Sequence, residues 1–130
     1  MKKIFCIVLA VILLFSLVSC SNTGGVQIDY GASEVYTMEE RETVANMIIE
    51  YFEAKDNELF DLKFAGDSIC SSQLEMFNRQ EDKEYEECLV YIANYSTPEA
   101  IKYFNQPERT TGFSYVKEPG GEWYLKSIGW

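Results

Sequence analysis

The sequence contains no histidine, so chemistry that depends on an imidazole base, an imidazole metal ligand or a near-neutral imidazole switch is excluded. Carboxylates, phenols and thiols remain. Asp61 and Asp67 stand beside apolar runs. A buried carboxylate acting as base, with a tyrosine hydroxyl donating to an oxyanion, is the pattern of an isomerase- or hydratase-like enzyme. An aspartate next to glycine, as Asp67 is next to Gly66, is also an ordinary turn former. Tyr91, Tyr95, Phe113, Tyr115 and Trp123 can line a pocket or partner interface, or can fill a core with their hydroxyls kept wet. Cys70 and Cys88 can form a disulfide worth about 3 kcal/mol, or stand as two buried thiols or a metal pair. No C-x-x-C spacing supports a redox or zinc site, and no histidine is available to hold a nucleophilic thiolate. The acidic run Glu81-Asp82-Lys83-Glu84-Tyr85-Glu86-Glu87 reads as a solvated loop or the start of a strand. It lacks the aspartate spacing and turn glycine of a calcium loop. The chain has no phosphate-cradling glycine loop, no nucleophile elbow and no repeat, and the sequon Asn94-Tyr95-Ser96 carries little weight in this context.

These residues must be positioned by a small set of elements. At 130 residues, 47% hydrophobic and 25% charged, the chain has room for one core. Thr37-Met38-Glu39-Glu40 matches a capping box and opens a helix. Val44, Met47, Ile48, Tyr51 and Phe52 then repeat at helical spacing on one face, so the helix runs to about Lys55. Leu62 and Phe64 alternate in a short strand over 59–64, and Leu74 and Phe77 mark a short second helix over 71–79 that starts at a serine cap. Cys88 to Tyr95 is a run of β-formers covered on both sides. Thr97-Pro98 opens a short helix through Ala100, Ile101 and Phe104, which Pro107 closes. Glu118-Pro119-Gly120-Gly121 turns a hairpin between strands over 111–117 and 122–128.

The first residues carry a different message. Met1-Lys2-Lys3 is a basic start, and Ile4 to Phe15 is an uninterrupted apolar run. That run is too short for the roughly 20 residues of a membrane span and fits the about 7–15 of a signal peptide. Leu17-Val18-Ser19-Cys20 resembles the lipobox of bacterial lipoproteins. The resemblance implies cleavage before Cys20 and acylation of its thiol, leaving residues 1–19 as a signal peptide. Two or more acyl chains hold a membrane firmly where one does not. Residues 20–36, with Gly24, Gly25 and Gly31 among small polar residues, read as a flexible tether spanning roughly 20–25 Å. Residues 37–130 form the ectodomain.

The formal net charge of −10 becomes more negative still once Lys2 and Lys3 leave with the signal. Such a surface disfavours nucleic acid and polybasic docking on anionic lipid, so the lipid on Cys20 is the expected link to the membrane. The helix-first order, and the close Gly-Glu-Trp-Tyr-Leu-Lys-Ser-Ile-Gly-Trp with Trp123, Gly129 and Trp130, resemble small lipoprotein ectodomains of the nuclear transport factor two-like fold. The resemblance implies an α+β domain in which the first helix packs on a curved antiparallel sheet, cone-like, with an apolar pocket at the open end. No catalytic motif of that family carries over. The expectation is an extracytoplasmic, lipid-anchored module on the outer face of the cytoplasmic membrane, or on the outer membrane of a diderm cell. It binds a small ligand or an envelope protein and requires no cofactor; the carboxylate and tyrosine enzyme is the alternative.

Overall fold

The structure is a computed structural model and describes residues 25–55, 57–99, 102 and 108–129. It is an α+β domain in which two helices, α1 (Met38–Lys55) and α2 (Asp67–Glu81), pack on a five-stranded open sheet. The strands are β1 (Gln27–Asp29), β2 (Glu58–Phe64), β3 (Glu87–Ser96), β4 (Arg109–Lys117) and β5 (Tyr124–Ile128), in spatial order β1-β2-β3-β4-β5. The expected short helix after Thr97 and the closing Trp130 lie almost wholly outside the described residues.

The capping box forms as the spacing predicts. Thr37 Oγ1 accepts from the Glu40 amide at 3.1 Å, and Glu40 Oε2 accepts from the Thr37 amide at 3.1 Å, so both orphan donors are satisfied. Val44, Ala45, Ile48 and Phe52 then bury one face of α1, while Met47 and Tyr51 border it.

β3 is covered on both faces. Side chains alternate along a strand, and here Cys88 and Val90 on one side are as buried as Leu89, Tyr91 and Ala93 on the other. The second set faces α1: the Tyr91 hydroxyl donates to the Arg41 carbonyl at 2.8 Å, and the Tyr51 and Phe113 rings meet edge-on at 5.5 Å. α2 lies against β3. It begins at Asp67, a turn earlier than the serine-capped start expected, directly after Gly66, whose φ of +99° only glycine adopts without strain. The hairpin is also as expected. Pro119 and Gly120, the latter at φ +73°, sit at the centre of a turn closed by the Gly121 amide on the Glu118 carbonyl at 2.9 Å, which is the type II pattern.

Two expectations are corrected. The sheet is mixed rather than antiparallel, because β1 pairs with β2 in parallel, Gln27 beside Asp61 and Asp29 beside Lys63. And residues 25–36 belong to the domain instead of the flexible tether drawn over 20–36. Arg41, 6% exposed, donates through Nη1 to the Tyr30 and Gly31 carbonyls at 2.8 and 2.7 Å. Ser33 Oγ donates to Asp67 Oδ1 at 2.5 Å, and the Glu34 amide to Asp67 Oδ2 at 2.9 Å. Tyr36 is buried, with its hydroxyl on the Cys88 carbonyl at 2.6 Å. This strap hides in the sequence because its contacts reach residues far along the chain.

Candidate functional site

The aromatics singled out in the sequence do not converge. Tyr91, Phe113 and Tyr115 are core residues, 0%, 1% and 3% exposed. Burial pushes the Tyr115 hydroxyl up to about 12. Tyr91 is likewise raised, by burial first. Tyr95 borders a shallow groove with Glu108, Arg109, Thr110 and Thr111, at the end of the sheet where β3 stops. Trp123 lies at the opposite end, where its ring meets that of Tyr36 at 6.4 Å.

The candidate carboxylates are engaged elsewhere. Asp61 receives the Asn94 side-chain amide at 3.4 Å, and Asp67 holds the strap. The Ser33 hydroxyl and then the Glu34 amide keep the Asp67 carboxyl below its usual range. The buried Tyr36 and Tyr91 hydroxyls donate to main-chain carbonyls. Neither aspartate hydrogen-bonds either hydroxyl.

Cys70 and Cys88 are free and 0% exposed; no disulfide joins them. Where β2 gives way to α2, the Val90 amide donates to Cys70 Sγ at 3.3 Å, so this thiol answers an amide of β3 inside the core. Burial pushes the thiols up to about 11 and about 12, which keeps both protonated and poor nucleophiles at neutral pH.

The acidic run is divided between two elements. Glu81 closes α2, accepts the Tyr85 hydroxyl at 2.5 Å and pairs with Lys126 of β5. The Lys126 and Tyr85 bonds hold the Glu81 carboxyl low, and that carboxylate in turn drives the Tyr85 hydroxyl up to about 12. Asn78 brackets the Tyr85 backbone, accepting its amide at 2.7 Å and donating to its carbonyl at 3.3 Å. This part of the run is a fixed connection between α2 and the sheet.

Glu87, the last residue of the run, behaves differently. It opens β3 opposite Lys117, the last residue of β4. Its Oε2 is buried without a hydrogen-bond partner, and the Lys117 ammonium stays 4.0 Å away. Desolvation, and then the neighbouring Glu40 carboxylate, raise its pKa against the opposing pull of Lys117. Beside it, Thr43 and Met47 of α1, with Lys117, Gly121, Glu122 and Trp123, line an open cleft of about 460 Å³. The cleft itself offers an apolar wall and the Lys117 cation, and the Glu87 acceptor lies behind that cation, 4.0 Å from its ammonium. Of its residues, the sequence reading had singled out only Trp123. Glu87 enters the sequence reading only as the last member of the acidic run, and the Glu87–Lys117 register that sets it apart is not legible before the strands are paired.

No family model matches the chain, and no curated protein or solved structure matches it either. Among the described residues, no helix is long and apolar enough to cross a membrane.

Proposed function

We propose that this chain is a lipid-anchored extracytoplasmic lipoprotein, acylated on Cys20, whose α+β domain binds a ligand or envelope partner in the cleft between α1 and the β4–β5 hairpin. The lipobox-like Leu17-Val18-Ser19-Cys20 supports the anchor. The binding role rests on Glu87: a buried acceptor atom with no hydrogen-bond partner costs about 1–3 kcal/mol unless something donates to it, and its ion-pair partner Lys117 lines the cleft. A carboxylate whose pKa is raised by burial and by a neighbouring carboxylate, next to a cleft, is a functional-site candidate. The chemistry that fits is a polar group carrying an N–H or O–H donor for Glu87, with an apolar body against Met47 and Trp123. The likeness to the nuclear transport factor two-like fold belongs to the same proposal, supported by a long first helix over antiparallel strands with a cleft opening beside it.

The test is native mass spectrometry of the full-length protein extracted from its host in mild detergent, before and after denaturation. The expected result is a chain lacking residues 1–19, carrying acyl mass, with extra mass released on denaturation from the native protein and absent from Glu87→Gln. A chain that retains residues 1–19 or carries no lipid overturns the anchor. An acylated chain whose bound mass is the same in Glu87→Gln overturns the assignment of the cleft.

A further inference from the structure

The way the domain faces its membrane follows from the register of β1, and this inference rests on the lipid-anchor reading above. β1 runs parallel to β2, so the chain enters the fold at the end of the sheet where β2 begins. There Glu58 and Leu59 pair with Ser96 and Tyr95 at the close of β3, and Tyr95 pairs with Arg109 at the start of β4. α1 ends at the same place, with the Phe52 ring tilted against that of Tyr95 at 5.0 Å. The far end holds the Thr37 cap, Glu87, Lys117 and Trp123. α1 spans the two ends, and its 18 residues measure about 27 Å at 1.5 Å per residue.

The leash is shorter than that. From Cys20 to Gly25, the first described residue, five peptide steps reach at most about 18 Å even when fully extended. An orientation with the far end on the bilayer requires the chain to travel the length of α1, which the leash cannot do. The surfaces agree with this limit. Lys55, Glu58, Glu108, Arg109 and Thr110 are exposed at the near end, a mixed polar face suited to lying against headgroups. Val35 and Met38, exposed at 61% and 47%, flank the Thr37 cap at the far end, and Ile128 of β5, 44% exposed, lies opposite Phe113 in mid-sheet. The near-end face carries both signs, Lys55 and Arg109 with Glu58 and Glu108, and the acidic residues farther from it act across more than the roughly 8 Å over which salt screens exposed charges.

We propose that the near end, where β2 begins and β3 closes, rests against the headgroup surface of the bilayer that holds the acyl chains of Cys20, and that the Trp123 cleft is displayed outward. The cleft then takes its ligand from the aqueous side and not from the lipid phase.

The experiment uses the full-length acylated protein in vesicles of three parts phosphatidylethanolamine to one part phosphatidylglycerol, with a small fraction of lipid carrying a headgroup quencher. A fluorophore is placed on a single new cysteine, Glu58→Cys at the near end or Glu39→Cys at the far end, both exposed positions. Cys70 and Cys88 are 0% exposed and stay unlabelled. Quenching several-fold stronger at position 58 than at 39 is expected, and twelve Gly/Ser residues inserted after Ser21 should erase most of the difference. Equal quenching at the two positions in vesicle-bound protein, or stronger quenching at 39, overturns the orientation. A protein that carries no acyl mass and washes off the vesicles overturns the anchor reading instead, a different and separately visible failure.

Discussion

Two parts of the molecule treat buried polar groups in opposite ways. Along the strap, every such group named above has an answer: Arg41 spends its guanidinium on the Tyr30 and Gly31 carbonyls, Asp67 takes Ser33 and the Glu34 amide, and Tyr36 reaches the Cys88 carbonyl. At the cleft, Glu87 Oε2 has no donor and its nearest cation stops at 4.0 Å. A satisfied polar network specifies one structure, whereas leftover hydrogen-bonding capacity is what a ligand can use. The strap is therefore read as architecture and the cleft as a site, although both are built from the same residue types.

The largest effect should come from breaking the strap at Arg41. Arg41→Ala removes a charged donor from two carbonyls and the cation above the Phe64 ring, 5.8 Å from its centroid. Hydrogen bonds to charged groups are worth about 1.5–3 kcal/mol each, and part of the loss is recovered as water reaches the freed carbonyls. A destabilisation of about 2–4 kcal/mol in urea melts is expected, with faster hydrogen exchange at residues 27–29. Unchanged exchange in β1 would mean that the strap is held by something other than Arg41, and the contrast with the cleft would lose its firm side.

Asp67 gives the next, smaller effect, and it is visible mainly in acid. Its folded carboxyl lies below the ordinary value of 3.8. The stabilisation is thus present above that value and is lost as the pH falls through the folded one. Asp67→Asn should melt below the native protein at pH 6, with the gap closing toward pH 2. A gap that stays constant across that range would show that the contact is steric rather than ionic.

How much of this was legible beforehand depended on how local each interaction is. The capping box and the 118–121 turn were readable, because each closes within four residues by hydrogen bonds the side chains or glycine dictate. The long apolar stripe of α1 was readable by its period. The strap was not, since a three-residue strand shows no period and its partners Arg41 and Asp67 lie well outside it. α2 was expected to start late because Gly66-Asp67 resembles a turn, and no side-chain cap marks the true beginning. The fold class was accessible from the order of elements; the parallel pairing of β1 was not. Among the aromatics, sequence offered no means to separate Tyr91 from Trp123. The separation comes from place in the sheet: Tyr91 sits within β3, which is covered on both faces, whereas Trp123 lies between the 118–121 turn and β5.

Glu87 carries the smallest stability effect and the sharpest test of the contrast. Its pKa is raised in the folded protein by burial and by Glu40, so its contribution to stability is complete below the ordinary value of 4.5 and is lost as the pH rises through the folded value. The charged form of this carboxylate is disfavoured where it stands, with Lys117 too distant to hydrogen-bond. Glu87→Gln keeps the shape and removes that charge. It should be neutral or slightly stabilising at pH 7, by less than about 1 kcal/mol, as expected for a partly exposed ion pair, and the difference from native should vanish at pH 3. If Glu87→Gln instead destabilises the ligand-free protein as strongly as Arg41→Ala does, then Glu87 is part of the architecture and its spare acceptor is no site. A variant that is as stable as native yet loses the bound mass places Glu87 where the geometry does, on the ligand rather than on the fold.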